Sequence, residues 1–253
     1  LRKVSNGSSS SRLVTSGWLA DVGSLTYDDY LGLPRLLELQ NTRVGSEDSE
    51  VGVSEHFFIV IHQSTELLLK QLDKDLRLAA KCLHGRSEPA SLTRAGVLIG
   101  RGTATFALLT EHLDLLGRHL PREDFSCIRT TFGSASGVQS SQFRQVSGLL
   151  GVRVAGDGEL LSAFLTRVAR DGLTAGALFA PSDGAAPPHR EVADELLHLG
   201  NAYYQWLVAH LTLVSNMIGI ERGTGGTSGV EFLTRRFELP FAALRDAATT
   251  ARP

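Results

Sequence analysis

Hydrophobic positions recur at steps of three and four along most of the chain, the period of a helix with one buried face. The longest such run spans about Ser54 to His84. Phe58, His62, Glu66 and Leu69 fall on one of its faces, and Leu67, Leu68, Leu72 and Leu76 on a neighbouring one. Charges come late, at Lys70, Asp73, Lys74 and Asp75, which predicts that the first half lies inside a bundle. Gly85 predicts its end. A second run, Ser91 to Leu120, turns Leu98, Phe106, Leu109, Leu113 and Leu116 inward and Arg94, Arg101, Glu111 and Arg118 outward. A third opens near Glu191 and aligns Tyr203, Trp206, His210, Leu213 and Met217 on one face.

Shorter pieces complete the pattern. Thr26 ahead of Asp28 and Asp29 predicts a helix start, and Pro34 a break or a new first turn near Leu33. Core packing is the expected use of Tyr27 and Tyr30 on spacing alone. Residues 41–53 read as a polar loop, 140–150 and 159–170 as helices, and 175–189 as a loop. Two helical pieces, 229–237 and 239–248, are split by Pro240. No strand alternation and no fixed repeat is present, so the fold class is all-α, a helical bundle.

Composition changes this picture little. The chain has 253 residues, 42% hydrophobic and 21% charged, with a net charge of -2. That balance suits a globular domain and gives no basis for a nucleic-acid or membrane-surface partner. No apolar run reaches the length of a membrane span, and no signal-peptide pattern is visible. Cys82 and Cys127 lie far apart without metal-ligand spacing and read as free thiols of a reducing, cytoplasmic compartment. Residues 1–17 are polar and serine-rich and read as a flexible arm. Residues 18–253 read as one helical domain.

Three places carry candidate chemistry. His210 sits in an apolar helical stripe, where an imidazole needs a partner: a backbone carbonyl or a metal. His62 stands likewise in the apolar half of the first long helix, one turn before Glu66. Arg129 lies amid Phe125, Ile128 and Phe132, where a guanidinium calls for a carboxylate, internal or from a ligand. The glycine-rich run Gly223 to Gly229 lacks the lysine and preceding strand of a phosphate-binding loop, and reads rather as a lid.

Three segments, in order, resemble the haem-dependent tryptophan 2,3-dioxygenases. S-E-H-F-F-I-V-I-H-Q-S-T-E-L-L-L-K (54–70) is similar to the family's D-E-x-L-F-I-x-x-H-Q-x-x-E-L-W-x-K. R-T-T-F-G-S-A-S-G-V-Q-S-S-Q-F-R (129–144) resembles R-x-x-x-G-x-x-S-G-F-Q-S-x-Q-[FY]-R. The segment from His210 to Leu233 resembles H-x-x-x-V-x-x-x-I-G-x-K-x-G-T-G-G-S-S-G-x-x-[FY]-L, and Y-D-D-Y-L (27–31) resembles Y-x-x-Y-L. The likeness covers most of the chain except about 145–190.

The resemblance implies haem b between long helices, with His210 as the iron ligand and O₂ as co-substrate. It implies that His62 faces the indole N–H, that Phe58 packs against indole and haem, and that Arg129 binds the substrate carboxylate. Thr224 would contact the ammonium and carboxylate, and Ser136 and Gly137 would lie close to the haem. Tyr27, Tyr30 and Leu31 would be lent by a neighbouring subunit of a homotetramer. The implied reaction is insertion of O₂ across the indole C2–C3 bond of L-tryptophan or a substituted tryptophan, giving an N-formylkynurenine-type product. Leu68, Val138, Leu207 and Ala209 depart from the family pattern, as does Phe125, which occupies a substrate-lining tyrosine position. These departures keep two alternatives open: a one-oxygen insertion into a tryptophan analogue in secondary metabolism, and a haem-binding protein without turnover.

Overall fold

The computed structural model describes residues 25–86, 88–152, 157–180, 188–219, 230–234 and 237–251, all of whose regular structure is helical. The serine-rich lead and the glycine-rich loop with Thr224 lie outside the described residues. The chain divides into two compact units, Leu1–Asn41 and Thr42–Pro253. No described helix is long and apolar enough to cross a membrane.

In the first unit, α1 (Tyr27–Leu31) and α2 (Leu33–Leu36) follow the predicted start and break. Thr26 Oγ1 accepts the Asp29 N–H at 3.2 Å. Gly32, at φ 64°, closes α1 and opens α2, with Pro34 in the first turn of α2. Core packing of the tyrosines is not what the structure has. Tyr27 is 73% and Tyr30 74% exposed, and neither α1 nor α2 buries a residue.

The second unit is built on α3 (Glu50–His84), α4 (Pro89–His119) and α9 (Pro188–Ile218), with α4 packed along both of the others. Around them stand α5 (Arg122–Arg129), α6 (Ser141–Leu149), α7 (Gly158–Arg170), α8 (Ala175–Leu178), α10 (Val230–Thr234) and α11 (Ala242–Thr250). Leu72, Leu76, Ile99, Phe106, Leu109, Leu196 and Leu199 fill the main core. Gly102 makes the close three-helix approach possible: a Cβ there would stand 3.0 Å from Leu72 Cδ1 and 3.2 Å from Leu199 Cδ1.

Several boundaries differ from the expected ones. The first long helix begins a turn before Ser54, because Ser49 Oγ accepts the Gly52 N–H at 3.1 Å and so caps α3 inside the supposed loop. The α9 helix opens at Pro188 instead of Glu191, and the 175–189 stretch contains the short α8. Leu67 is 52% exposed and does not share the core face of Leu72 and Leu76.

Two buried charges tie loops and helix ends to this frame. Glu55 accepts the backbone N–H groups of Arg43 and Val44 at 2.6 and 2.7 Å, holding the segment before α3 against the helix. Arg167, 1% exposed, donates to Asp171, to Ser91 Oγ at 2.9 Å and to the carbonyls of Arg86 and Glu88, while His189 meets the same Asp171 carboxylate at 2.8 Å. That network joins α7 to the starts of α4 and α9. Arg170 donates to the carbonyls of Leu83 and His84, closing the C-terminal end of α3.

Breaking a buried pair strands its partner, so Arg167→Ala should lower the unfolding free energy by about 3–5 kcal/mol, read from urea unfolding of the full chain. A loss below about 1 kcal/mol would contradict the network's role. Glu55→Ala leaves two backbone donors without their acceptor and should cost about 1–3 kcal/mol, with faster proteolysis at residues 42–49. Glu55→Gln, which keeps one acceptor oxygen, should cost less in the same assays.

Candidate functional site

A second, smaller apolar cluster lies beside the main core. Ile61, Leu116, Leu120 and Ile128 are its buried members, and Phe57, Phe58, Phe125, Phe132, Leu213 and Met217 pack on it. It gathers side chains from α3, α4, α5 and α9. Phe58 stacks on Phe132 at 5.4 Å between ring centroids and stands 6.0 Å from Phe125; Phe125 and Phe132 are 6.3 Å apart. The three rings form a cage without a hydroxyl or any other hydrogen-bonding group.

His62 borders this cage, its ring 3.9 Å from that of Phe58. Nδ1 lies 2.8 Å from the Phe58 carbonyl oxygen. A carbonyl can only accept, so Nδ1 carries the proton and Nε2 keeps a lone pair for a donor. Water reaches part of the ring, yet protein crowds the rest. This crowding lowers the pKa, against the opposing pull of the Phe58 carbonyl and the Glu66 carboxylate. The crowding governs the charge here, since a cation needs hydration on all sides and an open edge supplies it on one.

His210 comes from α9 and faces the same site. Burial, and after it repulsion from His62, lower its pKa to about 4, so the two imidazoles are near enough to interact electrostatically. Both are neutral near pH 7. The Trp206 ring, one turn earlier, is nearly parallel to that of His210: centroids 5.7 Å apart, planes 7° apart. Phe143 of α6 and Phe106 of α4 hold the indole from behind, at 5.2 and 6.2 Å.

The α5 helix is fastened at both ends of the site. Ser54 Oγ of α3 donates to the Asp124 carboxylate at 2.6 Å, and Arg122 Nε donates to the Met217 carbonyl of α9 at 3.3 Å. Arg129 is half-buried on the last turn of α5, four residues after Phe125, so it shares that residue's helical face; Phe132 follows just past the helix end. Beyond it, Ser136 and Gln139 form a capping box around the 3₁₀ turn Gly137–Gln139, and Gln139 Nε2 donates to the Ser134 carbonyl at 3.1 Å. Arg144 of α6 donates to the Val138 carbonyl at 3.0 Å. A Cβ at Gly137 would meet nothing within 4 Å, so open space adjoins this turn.

The structure thus brings together Phe58, His62, Phe125 and His210, with Arg129 on the adjoining helical face. The described contacts of Ser136 and Gly137 stay within their own turn. Tyr27, Tyr30 and Leu31 belong to the other compact unit, and Thr224 falls outside the described residues. Sequence reasoning assigned no role at this site to Trp206 or to the Ser54–Asp124 tie. The first carried a signal, its position four residues before His210. The second joins residues 70 positions apart and carried none.

Comparison with known proteins points to one family. Residues 15–158 match the family described as tryptophan 2,3-dioxygenase. The chain is similar to "Tryptophan 2,3-dioxygenase 1" of Ralstonia nicotianae, with 28% identity covering 85% of this chain and 84% of that protein. It is also similar to the tryptophan 2,3-dioxygenases of Ruegeria sp. (30% identity; 85% of this chain, 88% of that one) and Pseudomonas fluorescens (27%; 84% and 86%). With more than half its length inside the family match and relatives that align along most of both chains, the protein belongs to the tryptophan 2,3-dioxygenase family.

Proposed function

We propose that this chain is a haem-dependent dioxygenase that inserts both atoms of O₂ across the indole C2–C3 bond of L-tryptophan or a substituted tryptophan, releasing an N-formylkynurenine-type product. The observation that carries the reading is His62 beside the aromatic cluster, its Nδ1 2.8 Å from the Phe58 carbonyl, with His210 of α9 near enough for the two imidazoles to interact.

The donor set fits haem b. Among the described residues no group of three or more His, Cys, Asp or Glu side chains gathers to hold a bare metal ion. A single neutral imidazole would suit an iron whose other ligands come from a macrocycle. His210 would hold that iron, and Ser136 and Gly137, with open space beside them, would border the macrocycle. When bound, haem supplies the O₂ binding and activation that no side chain provides.

The chain's own residues then bind and orient the amino acid. The half-buried outer faces of Phe58, Phe125 and Phe132, which pack on one another, would form an apolar wall for the ring. His62 Nε2, its lone pair free, accepts the indole N–H and fixes which edge of the ring faces the oxygen. In this role His62 orients and does not need to take a proton away. Arg129 offers a bidentate fork to the substrate carboxylate, and Thr224 a hydroxyl to its polar end. Tyr27, Tyr30 and Leu31 are exposed in the protomer, which supports their being lent to a neighbouring site in a homotetramer. Both oxygen atoms enter the product, so the reaction consumes no external reductant.

One set of residues supports a second reading, insertion of a single oxygen atom into a tryptophan analogue. Phe125 and Val138 differ from the family pattern and reshape the ring-binding side. That reaction would need a two-electron donor or a peroxide. The ferrous, haem-loaded protein given L-tryptophan and ¹⁸O₂ should yield a product with two labelled oxygens. Single labelling, or turnover only with an analogue, would overturn the ring-cleaving reading in favour of the second. His210→Gly should lose the haem absorption of the wild type and regain it with added imidazole. Arg129→Ala should raise KM for tryptophan roughly 100-fold, the loss expected for a charge-assisted bidentate contact, with kcat less affected. An unchanged KM would remove the carboxylate assignment.

A further inference from the structure

The aromatic contact behind His210 goes beyond this reading. A histidine that binds a metal is ordinarily held by a hydrogen bond from its second ring nitrogen to a carboxylate, a carbonyl or water, which fixes the ring and makes it more basic. Among the described residues the His210 ring has no such hydrogen bond, and it stacks on the ring of Trp206. Helical side chains lean toward the N-terminus, so the His210 ring lies over the turn that carries Trp206. The planes agree to within 7°.

The indole cannot easily turn. It is 8% exposed, and Phe143 and Phe106 meet it at tilts of 45° and 50° from two other helices. Its own Nε1–H is buried and finds no acceptor among the described residues. A buried donor left unpaired is costly, and a phenylalanine would avoid that cost. Packing alone therefore gives no reason for an indole here. What the larger ring adds is a wide, flat surface, wedged by α4 and α6 and parallel to the imidazole.

We propose that Trp206 is a positioning residue: its plane, in place of a hydrogen bond, sets the orientation of the His210 imidazole and keeps its second ring nitrogen from a hydrogen-bond acceptor. This rests on the reading of His210 as the axial ligand. An imidazole so held stays the weaker, neutral donor, and a weaker donor favours the ferrous over the ferric state of a bound iron. The stacking would therefore set the redox poise of the site as well as the geometry of its ligand.

The test uses the full chain reconstituted with haem, compared as wild type, Trp206→Phe, Trp206→Leu, Phe143→Leu and His210→Gly. The readouts are the iron–histidine stretching band of the ferrous protein and the midpoint potential by optical titration. Trp206→Leu should broaden the band, move it to higher frequency and lower the potential, as water reaches the freed nitrogen. Trp206→Phe, which keeps a flat ring but a narrower one, should shift the band part of the way toward that of Trp206→Leu. Phe143→Leu, which removes the wedge without touching His210, should shift both readouts in the same direction by less. A Trp206→Leu protein with wild-type band and potential overturns the proposal. If that variant does not fold, unchanged values in Phe143→Leu overturn it instead. His210→Gly separates the two levels of the argument. Persistence of the iron–histidine band there defeats the axial-ligand reading, whereas its loss beside an unchanged Trp206→Leu defeats only the role of Trp206.

Discussion

Two imidazoles whose charges repel each other in a crowded site do not readily carry a proton each, and the rest of the site depends on that constraint. Burial lowers both pKa values, and the repulsion of one cation by the other lowers that of His210 again. Neutrality gives each ring a lone pair. The Phe58 carbonyl then decides where the proton of His62 resides, and so which nitrogen can receive a donor. A protonated pair would have no lone pair to offer on either side, and neither a metal nor an N–H could be held there.

Keeping two neutral histidines near each other requires their helices to be fixed relative to each other, and the packing supplies this through α4. It lies along both α3 and α9, with Gly102 allowing the leucines of both to come close. The α5 helix spans the same gap at one end, tied to α3 through Asp124 and to α9 through Arg122. Phe58 and Phe125 therefore sit on helices tied to their neighbours, and Phe132 follows directly after α5. Precision of this kind comes from elements, since a loop-borne side chain would add its own freedom to the geometry of the site.

The long helices were legible because a period repeated over many turns averages out local exceptions. Short elements offered no such averaging. The eight-residue α5 and four-residue α8 carry too few turns to declare a period, and α8 was read as loop. The start of α3 was misplaced because Ser49 and Gly52, which cap and turn there, are also typical loop residues. His62, His210 and Arg129 stood out as polar groups in apolar runs, and their motif spacing brought them into one scheme. Glu55 did not stand out, because its partners are two backbone N–H groups, which no side-chain pattern announces. The tyrosines of α1 illustrate the reverse error: their spacing suits a core, but α1 buries no residue.

The division of labour inside the site bears on selectivity under the proposed reading. Three phenylalanine rings discriminate by shape alone, and an apolar pocket distinguishes one methylene by only about 1–3 kcal/mol. The polar groups at the ends of the cage act differently. His62 presents an acceptor with one fixed tautomer, and a ligand lacking the matching N–H would leave that acceptor desolvated and unmatched. Arg129 makes an equal demand for a carboxylate. The tryptophan skeleton is thus specified at its two polar ends, while the ring between them meets surfaces that tolerate substitution. Phe125, where the family's tyrosine would have added a hydroxyl, extends the permissive part. Breadth toward ring-substituted tryptophans and strictness toward the indole N–H then follow from the same geometry.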